Sequence, residues 1–450
     1  MSDGMDNPVV TILGGHLVDP AAGVDAPADL RIENGRIARV TAPGALPREG
    51  QVIDAAGRHV LPGLIDTHAH LREPGHEHKG TVADAAFQAA MGGITCLFAM
   101  PNTDPVCDSR AVCEMVINRA RQTGAVRVLP VGAMTRGMEN RVLSEMGELA
   151  ACGCPALADA WAPIESSQMF RRALEYARGV GLPVITVPQD LGLSADGVMH
   201  EGDVATRLGL AGIPAASEEI SVARAIALAE LAGCRLHIAP ITTAGSVRLV
   251  ADARRRGLDV SAGTAPHYLH LTDAALIGYA TAAKVYPPLR PRTDLEALRA
   301  AVADGTVSVL SSCHAPHADY EKAVEFSLAP FGMAGLSTAL SLTLLLVKEG
   351  VLPLSSAVAR WTHGPREVFA LADAGTLAEG SPADLTIVDL SSTWEITPRA
   401  VAGHGLSTPW LGQTLPGRVC QTLLGGKIVH DSQRSTAVPP HHPEDAVHHA

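Results

Sequence analysis

"IDTHAHLREPG", residues 65–75, closes an apolar run that begins "HVLPGLID" at His59. On a strand, residues i and i+2 point the same way. His68 and His70 therefore face one point in space. Two imidazoles only begin a catalytic metal site, because zinc takes about three protein ligands plus an open position. The missing ligands have to be sought at the ends of later strands.

Those strands are legible. After "GLIDTH" come "TCLFAM" (95–100), "VRVLPVGAM" (126–134), "PALAD" (155–159), "PVITVP" (183–188), "RLHIAPI" (235–241), "DVSAGTAP" (259–266) and "VSVLSS" (307–312). Helix-like segments such as "SQMFRRALEYARGV" and "SVARAIALAELAG" lie between them. Nearly continuous apolar strands suit a parallel sheet buried on both faces. Strand–helix units in series predict an α/β chain, a (β/α)8 TIM barrel over residues 63–374. The flanks read differently. Residues 1–62 and 375–434 hold short strands with Gly and Asn turns, as in "ADLRIENGRIARV" and "GRVCQTLLGGKIVHD". They are expected to combine into one small composite β-sandwich domain. Residues 435–450, "STAVPPHHPEDAVHHA", read as a disordered tail.

The chain has 450 residues, 47% of them hydrophobic and 18% charged, which argues against disorder. Its net charge of −12 disfavours nucleic acid as a partner. No run reaches the roughly 18 apolar residues that a membrane span needs. The start "MSDGMDNPVV" lacks a cationic segment and an apolar core. A cytoplasmic protein is expected. The eight cysteines are scattered without a CxxC pair and read mostly as small buried residues in a reducing compartment.

Five motifs in order, "DTHAHLREPG", "FAMPNTDP", "TAPHYLHLT", "KVYPPLR" and "SCHAPH", resemble those of the dihydroorotases of the amidohydrolase superfamily. The resemblance runs over nearly the whole chain. It implies an amidohydrolase-type barrel with a composite β domain. It also implies reversible cyclisation of N-carbamoyl-L-aspartate to dihydroorotate, on one or two zinc ions. By that resemblance His68 and His70 match zinc ligands, and Arg72 and Asn102 match substrate contacts. Asn102 reads equally as a turn residue before "TDP".

The later strand ends depart from the family. No lysine occurs between Lys79 and Lys284, so a bridging lysine from strands 2 to 6 is excluded. Asp159 stands where the family has acids and leaves an aspartate bridge open. Val187 and Pro240 replace the histidines expected after strands 5 and 6, and neither can bind zinc. Cys313 replaces the aspartate that is both ligand and proton-transfer group. A thiol near pKa 8.5 does not substitute for a carboxylate near 4. Tyr286 replaces a compact amide. Three changes at the metal site beside an intact barrel predict a fold kept and a mechanism dismantled.

The expectation is a non-catalytic dihydroorotase homologue, a structural or assembly subunit for the aspartate carbamoyltransferase catalytic chain in a hetero-oligomer. No cofactor is then expected, although zinc at a degraded site stays open. The alternative is a divergent zinc amidohydrolase with dihydroorotase-like activity. It would use His68, His70 and Cys313, with His237, His267 and His317 nearby. A third reading is a carbamoyl-aspartate sensor anchored by Arg72, Asn102 and His317.

Overall fold

The computed structural model describes residues 9–161, 163–398 and 407–434. The tail expected at 435–450 lies outside the described residues. The barrel is built from strands Leu64–Ala69, Ile94–Ala99, Arg127–Pro130, Val184–Thr186, Leu236–Ile238, Val260–Thr264 and Val309–Leu310, paired in parallel as two sheets. "PALAD" is not a regular strand. It contributes Leu157 alone, which bridges Gly132 on one side and Val184 on the other. A bridge from Ala69 to His314 closes the circle. Strand "LIDTHA" is buried along its whole length, as the parallel arrangement requires.

The barrel floor is filled, not open. Ile65, Phe98, Val131, Ala158, Ile185 and Phe369 pack in one inner cluster. The Phe98 and Phe369 rings meet edge-on at 4.9 Å. Between strands and helices runs a larger apolar layer that includes Leu97, Leu174, Val222, Leu298 and Trp361.

Both termini build the second domain. Strand Leu385–Glu395 runs antiparallel to His59–Pro62 and also pairs with Thr414–Leu424. Strand Val10–Asp19 continues the same sheet beside His59–Pro62. Ile12, Leu17, Leu30, Ile32, Val60, Leu385 and Ile387 form its core. Asp19 ties the halves together, accepting from Thr376 Oγ1 at 2.8 Å and Leu377 N at 2.6 Å. Gly93, at φ +79°, sits where an added Cβ would strike Thr386 Cγ2 at 2.6 Å. That close approach lets the Thr386 hydroxyl donate to Gly93 O at 2.7 Å, so the β domain rests on the turn before the second barrel strand. Among the described residues no helix is long and apolar enough to cross a membrane.

Candidate functional site

The C-terminal strand ends meet as expected of a barrel. His68, His70, Trp161, Val187, Pro240, His267, Tyr286 and Cys313 line one small cavity. Its volume is about 20 Å³, room for about one water molecule. A larger groove of about 460 Å³ lies between helices Val82–Met91 and Ala339–Lys348 and strand Thr414–Leu424. It shares no lining residue with the mouth. The size of a cavity therefore does not mark the family chemistry in this molecule.

A residue outside the sequence motifs, Trp161, dominates the mouth. Trp161 follows the Leu157 bridge in a left-handed conformation, φ +65°. Its indole nitrogen lies 2.8 Å from His70 Nε2 and 3.2 Å from His70 Nδ1, so it sits against the imidazole ring rather than on the lone-pair axis of Nε2. On the other side of the ring, His70 Nδ1 lies 2.6 Å from Asn102 Oδ1. A carbonyl oxygen only accepts, so Nδ1 carries the proton and Nε2 is the unprotonated nitrogen. The indole also stacks on Tyr286 at 5.5 Å, which packs against Phe331 at 5.3 Å. An aromatic plug thus occupies the space above the histidine pair. No spacing rule would have found Trp161; the only sign was a bulky aromatic in a turn that the family pattern assigns to acids.

The other expected ligands do not converge. Asp159 points away from the mouth. Its carboxylate accepts from Met134 N at 2.7 Å, Thr135 N at 3.2 Å and Thr135 Oγ1 at 2.5 Å. Burial lifts its pKa to about 6. The aspartate-bridge expectation is corrected accordingly: this acid holds the loop after the third strand. Val187 and Pro240 are buried hydrocarbon in the cavity wall. Cys313, at φ +48°, lies 3.6 Å from Ser311 Oγ. Burial pushes its thiol up to about 12, so with no cation beside it the thiol stays protonated near neutrality and does not serve as the family's proton carrier. His267 lines the cavity with an unpartnered Nε2, whereas His237 packs lower, 5.3 Å from the Phe369 ring. Gly263 makes room for it; a Cβ there would stand 2.9 Å from His237 Nε2.

The expected substrate anchors are engaged internally. Arg72, at φ +70°, donates from Nε to Pro316 O at 3.0 Å, and its Nη2 lies 3.1 Å from His317 Nε2. That nitrogen also lies 2.8 Å from Phe331 O. It cannot accept from the guanidinium and donate to the carbonyl at once. Asn102 is bonded to His70. Neither Arg72, Asn102 nor His317 lines the cavity.

Zinc does not fit these residues. Two wall positions, Val187 and Pro240, are hydrocarbon without donor atoms, and the Trp161 indole crowds His70. Among the described residues no three His, Cys, Asp or Glu side chains are grouped to hold a metal ion. The His68–His70–Cys313 arrangement weighed from the sequence shares a cavity without forming a ligand set.

Comparison with known proteins supplies the family. A family model described as "Dihydro-orotase-like" matches residues 57–246. A dihydroorotase of Anaeromyxobacter dehalogenans (strain 2CP-1) is 48% identical over 429 residues, covering 95% of this chain and 99% of that one. One of Citrifermentans bemidjiense is 45% identical over 421 residues, covering 94% and 99%. Among solved structures, the L-hydantoinase (dihydropyrimidinase) of Arthrobacter aurescens superposes with a TM-score of 0.85 at 24% identity, covering 94% of this chain and 96% of that one. A D-hydantoinase gives 0.77 at 25% identity, covering 94% and 95%. Identity of this extent over nearly full length, on an amidohydrolase barrel with its composite β domain, means that the chain belongs to the dihydroorotase-like family of the amidohydrolase superfamily.

Proposed function

We propose that this chain is a dihydroorotase-type protein of pyrimidine biosynthesis whose barrel mouth does not carry out the family's zinc-dependent ring closure. One observation supports this reading above the rest: Val187 and Pro240, which have no donor atoms, stand where ligands are needed, beside a histidine pair crowded by the indole of Trp161. Deleting ligands around an open position removes metal catalysis. The role left is structural. On the resemblance alone, its partner is the aspartate carbamoyltransferase catalytic chain, in a mixed assembly. Light scattering on the mixed proteins tests the partner. Two separate masses, with carbamoyltransferase activity unchanged, count against it.

A second reading has its own support and is favoured by the relatives. Chains 44–48% identical over nearly full length carry the name dihydroorotase, which weighs for a working enzyme. The left-handed backbone kept at Arg72 and Cys313 is strain of the kind found at active sites. In that reading the chain interconverts N-carbamoyl-L-aspartate and dihydroorotate.

One assay divides the two. The full-length protein, with zinc added, is given substrate in each direction, beside His68→Ala. The first reading expects no turnover above the variant's background. Turnover that His68→Ala abolishes establishes the second.

A further inference from the structure

Four of the eight cysteines, distant in sequence, come together away from the barrel mouth. Cys107 precedes helix Arg110–Thr123, and Cys113 stands in its first turns. Cys152 ends helix Met146–Cys152, and Cys154 follows two residues later. The Sγ atoms of Cys113 and Cys154 lie 3.7 Å apart across a separation of 41 residues. The Cys113 thiol also meets those of Cys107 and Cys152. Their sequence spacing showed none of this, while the expectation of small buried residues holds for three of the four.

We propose that Cys113 and Cys154 form a thiol–disulfide site that a hydroperoxide oxidises and a dithiol resets. The geometry is close to what a bond needs. A disulfide requires the sulfurs at about 2.05 Å, so the pair must close by roughly half its separation. The slack is at Gly153, which has φ +96° and open space around its Cβ position. Cys107, Cys113 and Cys154 are buried, whereas Cys152 is half-buried. The cluster thus reaches solvent at the Cys152–Gly153 edge, where a molecule as small as a peroxide can enter. The sulfurs are not grouped as metal ligands, which favours thiol chemistry over metal capture.

Cys113 is the attacking sulfur. Hydrogen bonds from the Cys107, Cys154 and Cys152 thiols, with the Arg110 charge nearby, hold it below the usual thiol range, while the other three are pushed up. Asp108, Glu114 and Glu148 also surround the cluster. The Cys113 thiolate takes the terminal OH of the peroxide as the O–O bond breaks, giving a sulfenic acid and an alkoxide, or hydroxide from hydrogen peroxide itself. The Cys154 sulfur then attacks, forming the S–S bond and releasing water. Overall, two thiols and one hydroperoxide give one disulfide, with the peroxide reduced to water and its alcohol, or to two waters for hydrogen peroxide itself.

The test treats the full-length protein with hydrogen peroxide at one equivalent, blocks free thiols by alkylation under denaturing conditions, and maps peptides by mass spectrometry. The expected result is a Cys113–Cys154 cross-linked peptide, lighter by two hydrogens, that dithiothreitol removes. Cys152→Ser keeps the cross-link; Cys113→Ser and Cys154→Ser each lose it. Should those variants fail to fold, the wild-type map alone decides. Recovery of Cys113 and Cys154 as alkylated thiols, or a cross-link through Cys152 in their place, overturns the proposal.

Discussion

Two polar clusters stand at the strand ends of this barrel, and they are finished to different degrees. Around Glu218 the polar groups are partnered. Its carboxylate accepts from Thr242 N at 2.7 Å, Thr243 N at 3.0 Å and the Thr242 hydroxyl. Arg290 Nη2 lies 3.4 Å away, and its other nitrogens reach Thr242 Oγ1, His200 Nδ1 and Ile213 O. At the mouth, His68 Nδ1, His267 Nε2 and both polar atoms of Gln189 are buried with no partner among the described residues. A buried polar group left unsatisfied costs about 1–3 kcal/mol. The difference teaches that the first cluster is retained to hold the strand ends in place. The second keeps the polar residues of a working pocket, with donor atoms that no other group of the chain engages.

If that contrast is right, acid should strike the mouth hardest. Burial holds His237, His267 and His314 at pKa values of about 3, below the ordinary 6.5. The unfolded chain therefore binds more protons than the native one between about pH 6.5 and 3, and stability falls as pH drops through that window. Each histidine should cost about 2 kcal/mol between pH 8 and 5. Asp66 and Asp159, both lifted to about 6, have the opposite sign and should return about 1 kcal/mol each on the same descent. The net expectation is a urea midpoint that falls steadily from pH 7.5 to 5, less steeply in His267→Gln. A midpoint unchanged over that range would break the comparison from the mouth side.

Next in size is the finished cluster. Arg290→Met leaves Glu218 buried and uncompensated, and should cost about 3–5 kcal/mol, read as a lowered unfolding midpoint at pH 7.5. A loss below about 1 kcal/mol would mean that the two clusters do not differ in kind.

The smallest effect expected sharpens the contrast. Cys313→Asp restores the family acid in a site that already buries Asp66. It should destabilise the protein by about 1–3 kcal/mol above pH 7, where the new carboxylate must be ionised or carry a raised pKa. It should not bring turnover, because groups that act as a unit do not contribute singly. Equal stability with appearance of turnover would contradict both statements.

How much of this was legible depended on the kind of signal. Runs such as "TCLFAM" and "PVITVP" showed their strands because a strand buried on both faces must be apolar throughout. "PALAD" was too short to pair beyond Leu157, which replaced an expected strand with two bridges. Val187 and Pro240 were readable as losses because their side chains have no donor atoms at all. Trp161 was not, because its effect on His70 arises from a left-handed turn and a stacking partner more than 120 residues later, Tyr286. The meeting of Cys113 with Cys154 depends on how two outer helices pack, which no local pattern encodes. Asp159 misled for the same reason: its position fits the family, but its hydrogen bonds run to Met134 and Thr135.

The central claim is that the mouth does not assemble a zinc site, and zinc titration of the metal-free protein tests it most directly. Calorimetry on the full-length chain is set beside a His68→Ala, His70→Ala double variant, which subtracts binding elsewhere, including any at the C-terminal histidines. The account predicts matching isotherms for the two proteins. One zinc per chain, bound at sub-micromolar affinity by the native protein and absent from the double variant, would contradict it.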